Sequence, residues 1–251
     1  MSAIDVQQTI GEVVADNPGL SRVFEKFGID YCCGGKKTVK EACHDKGLDP
    51  SAVLAELQEG DRGGANSEPL PDVAAMSLTQ LADHIVKTHH AYLRKELPRL
   101  AGMLEEVASA YGQRDTRLFH AGATFAAMAQ ELWSHMLKEE MCLFPMIRQL
   151  EACDRPPTFH VASIADPIRQ MELEHDGADS ALERLRELTD GFTPPRWACD
   201  AYRAMLDALS YLERDMHLHI HKENNVLFPH ALEMEAQKRV SPREAVGAGI
   251  G

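Results

Sequence analysis

His135-Met-Leu-Lys-Glu139-Glu-Met-Cys-Leu-Phe-Pro145 returns further along the chain, at an offset of 84, as His219-Ile-His-Lys-Glu223-Asn-Asn-Val-Leu-Phe-Pro229, agreeing at His, Lys, Glu, Leu, Phe and Pro. Self-similarity of this kind marks a duplicated structural unit. Upstream of each copy a fainter echo runs at an offset of 85: His90 with Leu97, Arg99 and Leu100 corresponds to His175 with Leu182, Arg184 and Leu185. Each half therefore reads as a helical hairpin, and two hairpins make an antiparallel four-helix bundle. The helical patterns run over residues 78–111, 116–149, 164–188 and 195–235.

The apolar stripes place the polar residues. In the third pattern Ile164, Ile168, Met171, His175, Ala178, Leu182 and Leu185 fall three or four apart, which sets His175 on the core face. In the fourth, Tyr202, Met205, Leu209, Leu212, Met216, His219, Glu223 and Val226 do the same. Packing the hairpins together brings His90, His135 and Glu139 of one half opposite His175, His219 and Glu223 of the other. His and Glu at i, i+4 stand one turn apart on the same face. One isolated pair of that spacing reads as a solvated surface, but its repetition on apolar stripes points to a metal site. Two buried carboxylates without partners would be costly, so cations belong between them. The other explanation is a decayed repeat held by a buried hydrogen-bond network.

Four imidazoles and two carboxylates exceed the needs of one tetrahedral zinc, and the N/O mixture suits iron or manganese. Two metals fit better than one. With bridging carboxylates and an oxo or hydroxo bridge, each would receive two histidines and keep a position for a diatomic ligand. Glu131 and Asp215, each at i−4 from a repeat histidine, are candidate outer acids. His84, His89, His217 and His221 flank ligand positions without an equivalent in the other copy, and His44, His120, His160 and His230 read as surface or loop residues.

Working outward, residues 1–60 read as a small helical domain of short helices, with a capping box at Thr9-Ile-Gly-Glu12 and a proline helix start at Asp49-Pro50. Residues 61–76, rich in Gly and Pro, are the linker; 77–235 the bundle; 236–251 a flexible tail. The first domain carries adjacent thiols in Asp30-Tyr31-Cys32-Cys33-Gly34-Gly35-Lys36. Both are expected to be accessible, with a helix starting near Lys36, and Lys36 and Lys37 lowering a thiolate pKa.

Composition narrows the class. A net charge of −13 disfavours phosphate backbones and anionic lipids, so neither nucleic acid nor membrane is an expected partner. No run of about 18 apolar residues is present and the start lacks a signal pattern, which predicts a soluble, cytoplasmic protein. Six cysteines in such a chain read as thiols rather than a disulfide framework.

Taken together, the chain resembles the Repair of Iron Centres family of di-iron proteins, which join a small Tyr-Cys-Cys-Gly-Gly domain to a haemerythrin-like bundle. Tyr31 through Gly35 match the motif in full. The bundle matches through His90, Ser134-His135, Lys138-Glu139-Glu140, Phe144-Pro145, Glu174-His175-Asp176, His219 and Glu223-Asn224-Asn225-Val226-Leu227-Phe228-Pro229. The resemblance implies repair of iron–sulfur clusters damaged by nitric oxide or oxidants, with a non-haem di-iron centre donating iron to the client. It implies ligation by His90, His135, His175 and His219, bridging by Glu139 and Glu223, a functional role for Cys32 and Cys33, and a homodimer. Nitric oxide binding or reduction to nitrous oxide is the alternative activity. Oxygen or nitric oxide sensing without turnover is the third, and a fifth ligand from His89 or His221 would favour it.

Overall fold

Local capping chemistry starts the first helices of the computed structural model, which describes residues 4–63, 73–154, 157 and 163–240. Thr9 and Glu12 form the expected capping box ahead of α1 (Ile10–Asp16), and α2 follows at Ser21–Lys26. A second capping box, Thr38 with Glu41, opens α3 (Val39–Lys46). The helix after the thiols thus begins at Val39, not near Lys36, because Thr38 supplies the side chain that holds its first N–H groups. Pro50 starts α4 (Pro50–Gly63), with Asp49 accepting from the Ser51 N–H at 2.9 Å. Most of the expected linker and residues 241–251 of the expected tail lie outside the described residues, as does His160.

Each long stretch except the third is interrupted once. The first runs as α5 (Leu78–Ile85), a π-helical turn at Val86–His90 and α6 (Ala91–Tyr111). The second runs as α7 (Arg117–Lys138), a π turn at Glu139–Leu143 and α8 (Phe144–Ala152). The third is α9 (Ala165–Leu188). The fourth is α10 (Asp200–Lys222), a π turn at Glu223–Leu227 and α11 (Phe228–Val240). Pro145 and Pro229 explain two interruptions. Each sits second in the helix that resumes after the wide turn, where a missing N–H and a ring against the preceding turn are tolerated. Among the described residues there is no strand, only a single bridge between Thr9 and Thr38.

The residues fall into two compact units. The first holds Met1–Asp83, Phe144–Ile168 and Leu218–Gly251. Its N-terminal core is apolar, with Ile10, Val14, Phe24, Val39, Val53 and Leu57 fully buried. Two glutamates related by the repeat offset, Glu151 and Glu235, do the same task in it. Glu151 accepts from the Leu78 and Thr79 N–H groups at 2.8 and 3.0 Å, and Glu235 accepts from Ser163 Oγ and Ile164 N at 2.6 and 3.3 Å. Each carboxylate, at the end of one helix of a hairpin, neutralises the exposed N–H groups and positive dipole end of the other.

The second unit holds His84–Leu143 and Arg169–His217. In it parts of the four helical stretches pack antiparallel as a bundle, burying Leu97, Leu104, Phe125, Met128, Leu182 and Leu209. Every member of the two stripes read from sequence is buried. Arg186 with Glu213, and Arg117 with Asp190 at 2.9 Å, tie its loops. No helix of the described residues is long and apolar enough to cross a membrane.

Candidate metal centre

Four of the six expected ligands lie in the second unit. His90, His135, Glu139 and His175 are all at most 2% exposed. Glu139 Oε2 lies 3.2 Å from His90 Nε2 and 3.4 Å from His135 Nε2. On its other side His135 Nε2 faces His175 Nε2 at 3.2 Å. Ligand atoms of His135, Glu139 and His175 are within 4.8 Å of one another.

The outer ring nitrogens decide which inner nitrogens carry lone pairs. His90 Nδ1 is 2.6 Å from Glu140 Oε1, and His135 Nδ1 is 3.0 Å from Glu174 Oε2. A carboxylate can only accept, so the proton sits on Nδ1 and the Nε2 lone pair points inward. Such carboxylate-backed imidazoles are the usual outer arrangement of metal-binding histidines. Arg94 Nη2 fastens Glu140 at 2.5 Å, while Lys138 and Gln170 hold Glu174. The hydrogen bond from His135, joined by those from Lys138 and Gln170, outweighs burial and takes the Glu174 carboxyl down to about 2. The facing His135 and His175 nitrogens, 3.2 Å apart beside a fully buried carboxylate, gather nitrogen and oxygen donors of the kind a metal takes. The donor chemistry therefore fits a metal.

The other two expected ligands belong to the first unit. His219 Nε2 and Glu223 Oε1 are 3.1 Å apart and both are wholly buried. Three of the six, His90, Glu139 and Glu223, end or begin a π turn, a distortion found often at functional sites. A cavity of ≈ 300 Å³ in the second unit is lined by Ser134, Lys138, Leu173 and Gly177 and reaches His135 and His175.

The neighbouring histidines have other tasks. His89 Nδ1 is bonded to Asp215 Oδ1 at 3.0 Å, and His217 Nε2 meets Asp179 at 3.2 Å. His221 packs its ring against Tyr31, with centroids 5.9 Å apart, and burial takes its pKa down to about 4. The expected outer acids are displaced as well: Asp215 serves His89, and Glu131 is exposed at the cavity wall. Glu140 and Glu174 take the outer positions instead. Spacing along one helix could not find them, since each reaches a histidine on a different helix.

Cys32 is 2% exposed, against expectation, and Cys33 is half-buried. The Asp30 carboxylate meets both residues. It accepts from both backbone N–H groups at 2.9 Å and from the Cys32 thiol at 3.2 Å, while Lys37 is engaged with Asp45 at 2.7 Å. The loop is held from the π turn Glu223–Leu227. Asn225 Nδ2 donates to the carbonyls of Tyr31 and Cys32 at 3.3 and 2.9 Å, and Asn224 Nδ2 is 4.0 Å from Cys33 Sγ. All six cysteines are free thiols.

Buried histidine and glutamate groups of this composition suit a di-metal site in a helical bundle. Residues 81–231 match the haemerythrin HHE cation-binding domain, and residues 6–61 match a domain of unknown function, DUF542. The chain is 36% identical over 229 residues to the iron-sulfur cluster repair protein YtfE of Enterobacter sp. (strain 638), covering 91% of this chain and 98% of that one. It is 35% identical over 228 residues to the YtfE of Yersinia pseudotuberculosis, covering 91% and 98%. It is 33% identical over 226 residues to a probable iron-sulfur cluster repair protein of Haemophilus influenzae, covering 90% and 97%. The chain belongs to this haemerythrin-like family of proteins named for iron–sulfur cluster repair, as the Tyr31–Gly35 motif and the repeat led one to expect.

Proposed function

We propose that the chain is a di-iron protein that repairs iron–sulfur clusters damaged by nitric oxide or oxidants, giving up iron to the damaged client. In this reading His90, His135, Glu139, His175, His219 and Glu223 would hold the two irons. The observation that carries it is the buried Glu139 carboxylate between His90 and His135 Nε2, each backed by an outer carboxylate. Iron is chosen over manganese because the relatives are named for iron–sulfur repair. Cys32 and Cys33 serve the same function as the pair that docks the client or relays iron. When bound, the irons supply exchangeable metal and a place for a diatomic ligand.

The test is anaerobic reconstitution with ferrous iron, followed by incubation with a [4Fe–4S] enzyme inactivated by nitric oxide. Two irons per chain and recovery of client activity are expected; recovery that is equal without bound iron would sink the reading. A second reading, reduction of nitric oxide, is favoured by the cavity reaching His135 and His175. Nitrous oxide formed over many turnovers, followed by gas chromatography, would put it first.

A further inference from the structure

The peptide bond between Cys32 and Cys33 is held at both ends. Its carbonyl accepts from Asn225 Nδ2 at 2.9 Å, and its N–H donates to Asp30 Oδ1 at 2.9 Å. The same Asn225 amide donates to the Tyr31 carbonyl at 3.3 Å, so both of its hydrogens are engaged by the thiol loop. Asn225 fits a slot between two glycines whose backbones join, the Gly11 N–H donating to the Gly35 carbonyl at 2.9 Å. A Cβ on either glycine would press on that side chain.

Asn225 belongs to the π turn Glu223–Leu227, three consecutive residues of which have different tasks. Glu223 is wholly buried with Oε1 3.1 Å from His219 Nε2, Asn224 Nδ2 stands 4.0 Å from Cys33 Sγ, and Asn225 grips the peptide. Thiol loop and buried carboxylate thus meet on one turn of backbone, all within the first unit. A shift of Asn225 is a shift of the turn that aims Glu223.

Thiol chemistry acts on the gripped peptide. A disulfide between neighbouring residues closes a small ring around it, with α-carbons roughly 3.8 Å apart, less than the about 4.4–6.8 Å usual across a disulfide. The peptide has to twist before the sulfurs can meet. Twisting turns its carbonyl and its N–H together, taking the one off Asn225 and the other off Asp30.

We propose that Asn225 couples the redox state of the Cys32–Cys33 pair to the hold on metal at Glu223: the dithiol form keeps iron and the disulfide form lets it go. The proposal rests on the di-iron reading and deepens it, because it sets the moment at which an iron donor gives. The oxidant is a low-molecular-weight disulfide such as oxidised glutathione. The Cys33 thiolate, from the more exposed of the two residues, attacks it and releases one glutathione, and the Cys32 thiol then displaces the second. Two electrons leave the pair, the two glutathiones take up the two thiol protons, and iron keeps its oxidation state. Such coupling is reciprocal, so bound iron resists oxidation of the pair by the factor with which oxidation weakens iron binding.

The experiment equilibrates the full-length protein anaerobically in glutathione buffers of graded redox ratio, once iron-free and once loaded with ferrous iron. Residual thiols are alkylated, and the mass of the peptide carrying Cys32 and Cys33 gives the fraction of internal disulfide. Iron loading should make the pair about 5- to 150-fold harder to oxidise. Asn225→Ala should bring the loaded and iron-free forms together, and its iron-free pair should oxidise about 2- to 10-fold more readily than the natural one, as one hydrogen bond is lost. A chromogenic ferrous chelator should take iron faster from the disulfide form of the natural sequence. From Cys32→Ser combined with Cys33→Ser it should take iron at one rate in every buffer.

Equal oxidation with and without iron would overturn the proposal while leaving the di-iron reading intact. So would mixed disulfides with glutathione in place of the internal bond, or a coupling that survives Asn225→Ala. Failure to bind two irons at all would remove the reading beneath it. Thermal melting of the iron-free variant separates these outcomes from misfolding, and Asn225→Asp, of the same shape but without the donor, should act in the same direction.

Discussion

Asn225 holds Cys32 by its backbone: the side-chain Nδ2 donates to the Cys32 carbonyl at 2.9 Å, and to that of Tyr31 at 3.3 Å. The thiol loop is thereby attached to the π turn that begins at Glu223. Replacing Asn225 with Ala should cost about 1–3 kcal/mol, since two part-buried carbonyls lose a donor. It should also raise the rate at which an aromatic disulfide reagent modifies Cys32. Unchanged modification kinetics would mean that Asp30 alone orders the loop.

Gly35 tests the same contact from the other side. A Cβ there would stand 2.2 Å from Asn225 Oδ1, and Gly11 meets the same side chain at 2.9 Å. Gly35→Ala should destabilise by about 1–3 kcal/mol through forced displacement. Gly102→Ala, in the open on α6, should instead stabilise by about 0.5–1 kcal/mol through helix propensity. Urea denaturation of the two variants should therefore move in opposite directions.

Glu139→Leu should lose most of the bound iron on dialysis, measured by atomic absorption. The change removes a carboxylate that faces the Nε2 atoms of His90 and His135 at 3.2 and 3.4 Å. Two tightly held irons in the variant would take Glu139 out of the centre.

The cap at Glu151 predicts a pH dependence. Burial pushes its carboxyl up, but hydrogen bonds from Thr79, Leu78 and Ser77 together outweigh it and hold the folded pKa below the usual glutamate value. A depressed folded pKa means the contribution is complete above the unfolded value, about 4.3, and disappears as pH falls through the folded one. Glu151→Gln should therefore be less stable than the natural chain at neutral pH, by about 1 kcal/mol for a lost cap, with the gap closing in acid. A gap independent of pH would assign the effect to packing.

Cys32→Ser combined with Cys33→Ser should keep the iron content of the protein and abolish delivery to the damaged client. Undiminished delivery would reduce the pair to filling a tight loop.

The burial of the candidate ligands was legible because it is periodic. His175, His219 and Glu223 interrupt apolar stripes whose every other member is buried, and a duplicated pattern singles out such interruptions. Contacts across helices were not legible. Nothing in the spacing of Glu140 or Glu174 reveals that each reaches a histidine on another helix, and Asp215 was matched to the wrong histidine for the same reason. The burial of Cys32 depends on Asp30 folding back on the loop, a choice of turn and rotamer rather than of pattern. Two features were present in the sequence and missed. The capping box Thr38-Val-Lys-Glu41 has the same form as the one found at Thr9, and Glu151 and Glu235 stand at the repeat offset. The Phe-Pro pairs that close both copies of the repeat also foretold interrupted helices.

The π turns make chain length part of how the buried glutamates are aimed. Each of Glu139–Leu143 and Glu223–Leu227 is a place where the ladder skips one rung. Deleting a single residue there would let a continuous 3.6-residue spiral re-form, with the helix before and the helix after nearly in phase and only the turn itself rebuilt. The chemistry of every remaining side chain would be intact, and those within the turn would look in a new direction.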